Sequence, residues 1–93
     1  VKRLHKFRCQ VCGQYIELTD GSRYAEAHHI QPLGRDHNGP DVEGNILCLC
    51  PNHHAECDYG TIRLSLKNLR LSDHHLVDPL FIKYHNKEIF GNI

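Results

Sequence analysis

Tryptophan and methionine are absent, formal net charge is zero, and no apolar run approaches the roughly 20 residues that a membrane-spanning helix requires. No charged, then apolar, then small-residue leader opens the chain. The expectation is a soluble chain with no membrane contact. A start at Val1 in place of Met leaves room for further domains in the native protein. Apolar residues make up 40% of the 93, so the core is small, and domains of this size usually need a metal or disulfide staple.

What the chain has in excess is metal-ligating chemistry: five cysteines and nine histidines. An odd cysteine count, arranged as one C-x-x-C and one Cys/His cluster, fits metal in a reducing compartment better than a secreted disulfide framework. The neutral total also hides an uneven distribution. Residues 1–8 carry Lys2, Arg3, Lys6 and Arg8 with no acid, whereas residues 9–60 carry two basic and eight acidic side chains. Residues 61–93 carry five basic and three acidic ones. A uniformly basic nucleic-acid binder is excluded. Bound cations would offset the acidic middle, and the basic N-terminal residues suit either phosphate contacts or a solvated linker.

No repeat or low-complexity tract interrupts a reading as one domain over residues 1–93, with its motif core at 9–60. "RCQVCGQYIEL" places C-x-x-C-G in a tight turn ahead of a short alternating stretch, as in a zinc knuckle. "SRYAEAHHI" reads as a strand ending near His28 and His29, and "QPLGRDHNGPDVEG" as a long loop of a kind more often functional than not. "NILCL" is a second strand, "PNHHAECDYG" a helix of two turns with Pro51 in its first turn, and "TIRLSL" a third strand. "DPLFIKYHNKEIFG" reads as a final helix capped by Asp78, with Pro79 at its first position.

Cys9 and Cys12 supply two thiolates at knuckle spacing, and Cys50 and His53 repeat that spacing at the entry to a helix. Together they make a closed Cys3His structural zinc site. Pairings through Cys48 or Cys57 remain alternatives, although both read better as buried small hydrophobes. A redox pair at Cys9 and Cys12 lacks the surrounding βαβ pattern. His54 follows His53 and points about 100° away around a helix, so it faces elsewhere. His28, His29 and His54 could converge on a second, open metal site.

The segments "CQVCG", "AHHI", "GPDVEGNILCLC" and "CPNHHAECD" together resemble the HNH endonuclease family. The resemblance implies an α+β chain with the small ββα-metal (His-Me finger) fold stapled by a structural zinc. The downstream stretch "DHHLVDPLFIKYHNKEIFG" more loosely resembles HNH domains that follow SRA modified-base-binding domains in bacterial restriction-type proteins. The family pattern implies that His29 is the general base and that His28, where many members have Asp, ligates the catalytic cation. It further implies that Asn45 tethers the long loop and that His54 is the cation's second protein ligand. His53 stands where many relatives have Cys, a departure that zinc tolerates.

The implied function is metal-dependent hydrolysis of DNA phosphodiester bonds, leaving 5′-phosphate and 3′-hydroxyl ends, in a bacterial cytoplasm. An upstream recognition domain and a homodimer are both compatible with it. A non-cutting zinc-knuckle module that binds nucleic acid or protein is the alternative, but it gives His28, Asn45 and His54 no reason to coexist. Imidazole at position 28 favours Mn²⁺, Co²⁺ or Ni²⁺ over Mg²⁺ as the catalytic ion. On the long loop, His37 reads more readily as a solvated histidine than as a phosphate or metal contact, and Arg35 reads equally as a phosphate contact or an exposed, uncommitted arginine. Asp41 is read as a turn organiser bonding its own backbone, and His74, His75 and His85 as surface or helix residues.

Overall fold

The computed structural model describes residues 1–92. It contains strands β1 (Ile16–Glu17), β2 (Arg23–Tyr24), β3 (Glu26–His29) and β4 (Ile46–Leu49), followed by helices α1 (Pro51–Asp58) and α2 (Pro79–Tyr84). Two antiparallel pairs result, β1 with β2 and β3 with β4, and α1 packs on the second pair. No described helix is long and apolar enough to cross a membrane.

The expected single strand over residues 22–30 divides in two. Arg23 and Tyr24 pair with Glu17 and Ile16, whereas Glu26 to His29 pair with Leu49 to Ile46. Ala25, fully buried at the junction, is where the chain changes partner. On β4, Leu47, Cys48 and Leu49 are all buried, because one face meets α1 and the other meets the knuckle. Gln10 stitches that knuckle in place: its amide donates to the Cys48 carbonyl at 2.8 Å and its side-chain oxygen accepts from the Cys48 amide at 2.9 Å. Ile30, Leu47 and Leu49 form one apolar cluster with Cys9, Cys57, Leu64, Leu69, Val77 and Ile82. Burial pushes the thiols of Cys48 and Cys57 up to about 11 and about 12, so both remain protonated packing groups.

Residues 61–66 form no strand, contrary to their alternating pattern. No strand pairs with them among the described residues, and side chains take over the hydrogen bonds instead. Asn86 accepts from the Leu64 amide at 2.8 Å and donates to the Leu64 carbonyl at 2.7 Å, while His85 Nε2 donates to the Ile62 carbonyl at 2.8 Å. The final helix accordingly ends as α2 at Tyr84 and widens into a π turn over His85–Ile89 that aims these two residues at the segment. Asp78 caps α2 through the Leu80 amide, with Pro79 at the first position, as its sequence suggests.

Two further histidines depart from a surface reading. His85 is fully buried, and so is His75, which donates through Nε2 to the Glu43 carbonyl at 2.8 Å and accepts from His5 at 2.7 Å. Residues 1–8 are therefore a folded segment pinned to the domain by His5. His74 is exposed. The Asn86 bracket is directly testable: Asn86→Ala leaves a buried amide and carbonyl unpaired, so urea unfolding of the zinc-loaded chain should show a loss of about 1–3 kcal/mol. An unchanged midpoint would remove the bracket from the account of this segment.

Candidate metal centres and active site

The turn from β4 into α1 builds the first centre. Cys50 caps the helix, its sulfur accepting from the His53 amide at 3.5 Å, and Pro51 fills the first position. The cap turns Cys50 and His53 toward the knuckle at Cys9 and Cys12. The four donor atoms lie within 4.8 Å of one another, with Cys12 Sγ to Cys50 Sγ at 3.9 Å, Cys50 Sγ to His53 Nδ1 at 3.3 Å and Cys9 Sγ to His53 Nδ1 at 3.6 Å. Zn–S bonds of about 2.3 Å in a tetrahedron place sulfurs about 3.8 Å apart, so these residues fit one zinc ion. Cys48 and Cys57 are not in the group.

A second donor group lies one helical residue further on. His54 turns away from the cysteines and meets His28 of β3, their rings edge to face at 5.1 Å. The third member is Asp58, which sequence reading overlooked; His29, expected as a third converging histidine, is not in the group. Asp58 Oδ1 lies 3.3 Å from His28 Nδ1, and Oδ2 lies 3.4 Å from His54 Nε2. Its signal was the i, i+4 spacing from His54 along α1.

Glu26 was overlooked as well. Its Oε1 accepts from His54 Nδ1 at 2.5 Å, leaving the Nε2 lone pair aimed at the Asp58 side, and Tyr24 donates to the other oxygen at 2.7 Å. These two bonds hold the Glu26 carboxyl below its usual range. Glu26 and His28 are two apart on β3 and so share a face, a period-2 signal that the sequence did display. A carboxylate behind a ligating imidazole fixes its tautomer and raises its basicity. Burial, reinforced by His54, His85 and His29, pushes His28 down to about 3, so it is neutral at working pH. Its Nε2 is buried with no hydrogen-bond partner.

Strand alternation sends His29 the other way, toward the long loop. There Asp41 Oδ1 lies 2.8 Å from His29 Nε2, so Asp41 engages the histidine where sequence reading had it organising a turn. Asn45 is fully buried at the end of a 3-10 turn. It donates to the carbonyls of Gln31 and Pro40, both at 2.9 Å, and accepts from the Gln31 amide at 2.8 Å. One side chain thereby ties the two ends of the loop together. Gly39 permits the closure, since a Cβ there would stand 1.9 Å from the Gln31 carbonyl oxygen. His37 is bonded to the Tyr84 hydroxyl at 2.5 Å, away from both donor groups, and Arg35 is exposed.

A family model for HNH endonucleases matches residues 9–64. The chain belongs to the HNH endonuclease family. It is thus a nuclease domain, a phosphodiester hydrolase, and all the residues of both donor groups lie within the match. This HNH domain is 42% identical over 54 residues to the type IV methyl-directed restriction enzyme EcoKMcrA of Escherichia coli (strain K12), covering 56% of the domain and 19% of that protein. The solved modification-dependent TagI restriction endonuclease resembles it along its whole length, with a TM-score of 0.90 and 42% identity, over 36% of that chain. The HNH domain therefore spans about a fifth of the curated relative and about a third of the structural one.

Two measurements test the centres. Elemental analysis of the purified HNH domain should give one tightly held zinc per chain, and Cys12→Ala should lose both zinc and folded circular dichroism. Calorimetric titration with Mn²⁺ should show Glu26→Ala binding about 10- to 100-fold more weakly than the parent with zinc content unchanged. Equal affinities would detach Glu26 from the second centre.

Proposed function

We propose that this HNH domain is the cleavage module of a bacterial restriction-type enzyme that hydrolyses DNA. In this reading His29 is the general base, and one divalent cation is held by His28, His54 and Asp58. The observation that carries it is the pairing of an open donor set with a histidine–aspartate dyad on the next strand residue. A closed Cys3His cluster has no position left for water or substrate, whereas three donors leave several.

Each side chain then has a task. Asp41 accepts from His29 Nε2–H, which leaves the Nδ1 lone pair free to take a proton from the attacking water. Asn45 holds the loop that carries Asp41, and with it the orientation of the base. Burial keeps His28 neutral, and Glu26 orients His54 toward the same cation. The cation, when bound, stabilises charge on the phosphoryl and leaving oxygens. Substrate enters from the exposed side, where Asp58 and Asp41 lie.

The relatives are described as methyl-directed and modification-dependent, and in each the matching region is a minor part of the chain. We therefore assign choice of modified sites to the rest of the native protein, and this domain alone should cut DNA with little preference. Asp58 also refines the metal reading: two imidazoles and one carboxylate form a nitrogen-rich set that still favours Mn²⁺, Co²⁺ or Ni²⁺ over Mg²⁺.

Plasmid cleavage with each divalent metal tests these statements. His29→Ala should abolish cutting while fold and zinc survive, and robust residual cutting would overturn its assignment as base. Mn²⁺, Co²⁺ or Ni²⁺ should each outperform Mg²⁺ in the parent, and Asp58→Ala should lower activity at a fixed Mn²⁺ concentration with recovery at higher concentration. Equal rates in Mg²⁺ would count against the nitrogen-rich set.

A further inference from the structure

The cations of this chain are as segregated as its acids. Among the described residues, all four ion pairs within 4.0 Å use histidine, and none uses lysine or arginine. Glu26, Asp41 and Asp58 are the acids these pairs commit to imidazoles, and no described lysine or arginine has a carboxylate within that distance.

Three arginines from distant parts of the sequence meet at the knuckle. Arg8 and Arg23 both stack on Tyr15, their guanidinium carbons 4.9 and 3.8 Å from the ring centroid. Arg8 also donates to the Gly13 carbonyl at 3.1 Å, and Arg70 lies so close to Gly13 that a Cβ there would be 2.6 Å from its guanidinium carbon. Arg23 donates to the Lys6 carbonyl at 3.1 Å, which ties in the segment bearing Lys2, Arg3 and Lys6. Of the acids on this hairpin, Glu17 stands opposite Arg23 in the β1–β2 pair, and Asp20, in the connecting turn, accepts from Ser22. Neither lies within ion-pair distance of an arginine.

Like charges gathered around one ring repel, and cation–π stacking offsets this only in part. Stacking engages the flat face of a guanidinium and leaves N–H edges outward, the geometry that grips phosphate oxygens in pairs. We propose that Arg8, Arg23 and Arg70, assembled on Tyr15 and Gly13 of the knuckle, form a second contact surface for the phosphate backbone of DNA, apart from the cleavage centre. The proposal rests on the nuclease reading for the identity of the polyanion. Arg23 and His28 are five positions apart, a span of at most about 18 Å even when fully extended, so one duplex reaches both places. The surface reads no base, which matches a module that cuts where another part of its protein directs.

Binding measured apart from cutting tests this. The zinc-loaded chain carrying His29→Ala is titrated with a short unmodified duplex by fluorescence anisotropy across a salt series between about 50 and 200 mM. Adding Arg8→Gln, Arg23→Gln and Arg70→Gln together should reduce the slope of log K against log salt by about 2 to 3, since each lost phosphate contact removes about 0.9. Lys87→Gln, on the π turn, should leave the slope unchanged. Should the triple variant lose zinc, Arg23→Gln alone carries the test with an expected drop of about 1. An unmoved slope in a zinc-loaded variant, or an equal drop with Lys87→Gln, overturns the proposal. A chain with intact His29 that binds with these slopes but never cuts overturns the nuclease reading and leaves the arginine surface standing.

Discussion

An α-helix rotates about 100° per residue, and at the first turn of α1 that rotation divides the domain's chemistry. His53 and His54 are neighbours in sequence, yet one faces the cysteines of the knuckle and the other faces β3. The division holds only if the helix starts where it does. Cys50 as cap and Pro51 as first residue fix that start, and Cys50 is at once cap and candidate zinc ligand. Folding energy from a metal in the closed cluster would thus be transmitted, through two helical residues, to the placement of the open one.

Around this pivot the charged groups separate by role. Glu26, Asp41 and Asp58 each engage a histidine, which concentrates negative charge where a cation would sit and orients the imidazoles. The arginines gather at the knuckle itself, where backbone carbonyls and a tyrosine ring hold them. A net charge of zero is therefore the sum of one basic and one acidic cluster, and it carried no information about either.

The C-terminal third shows a different economy. A short domain has too few strands to satisfy every extended segment, so Asn86 and His85 substitute for a strand partner along residues 62–64. The π turn that aims them is the local distortion required for that substitution. His75 performs a similar service at the Glu43 turn just ahead of Asn45, bracing the loop's end from outside the motif.

Spacing pointed to the closed cluster, the cap and first turn of α1 and the cap of α2, and the resemblance to the HNH family singled out His28, Asn45 and His54 as members of a motif. These are local features, set by helix period, turn chemistry and ligand reach, and a linear reading can see them. Asp58 and Glu26 were visible in principle at i+4 on a helix and i+2 on a strand, but such spacings are common and gain meaning only when the two elements are known to face each other. The splitting of the 22–30 strand, the loss of a strand at 61–66, the burial of His75 and His85, the Asp41–His29 pair and the arginine cluster were decided by tertiary structure alone. Each depends on which segment arrives as neighbour, and the chain's own periodicity does not encode that.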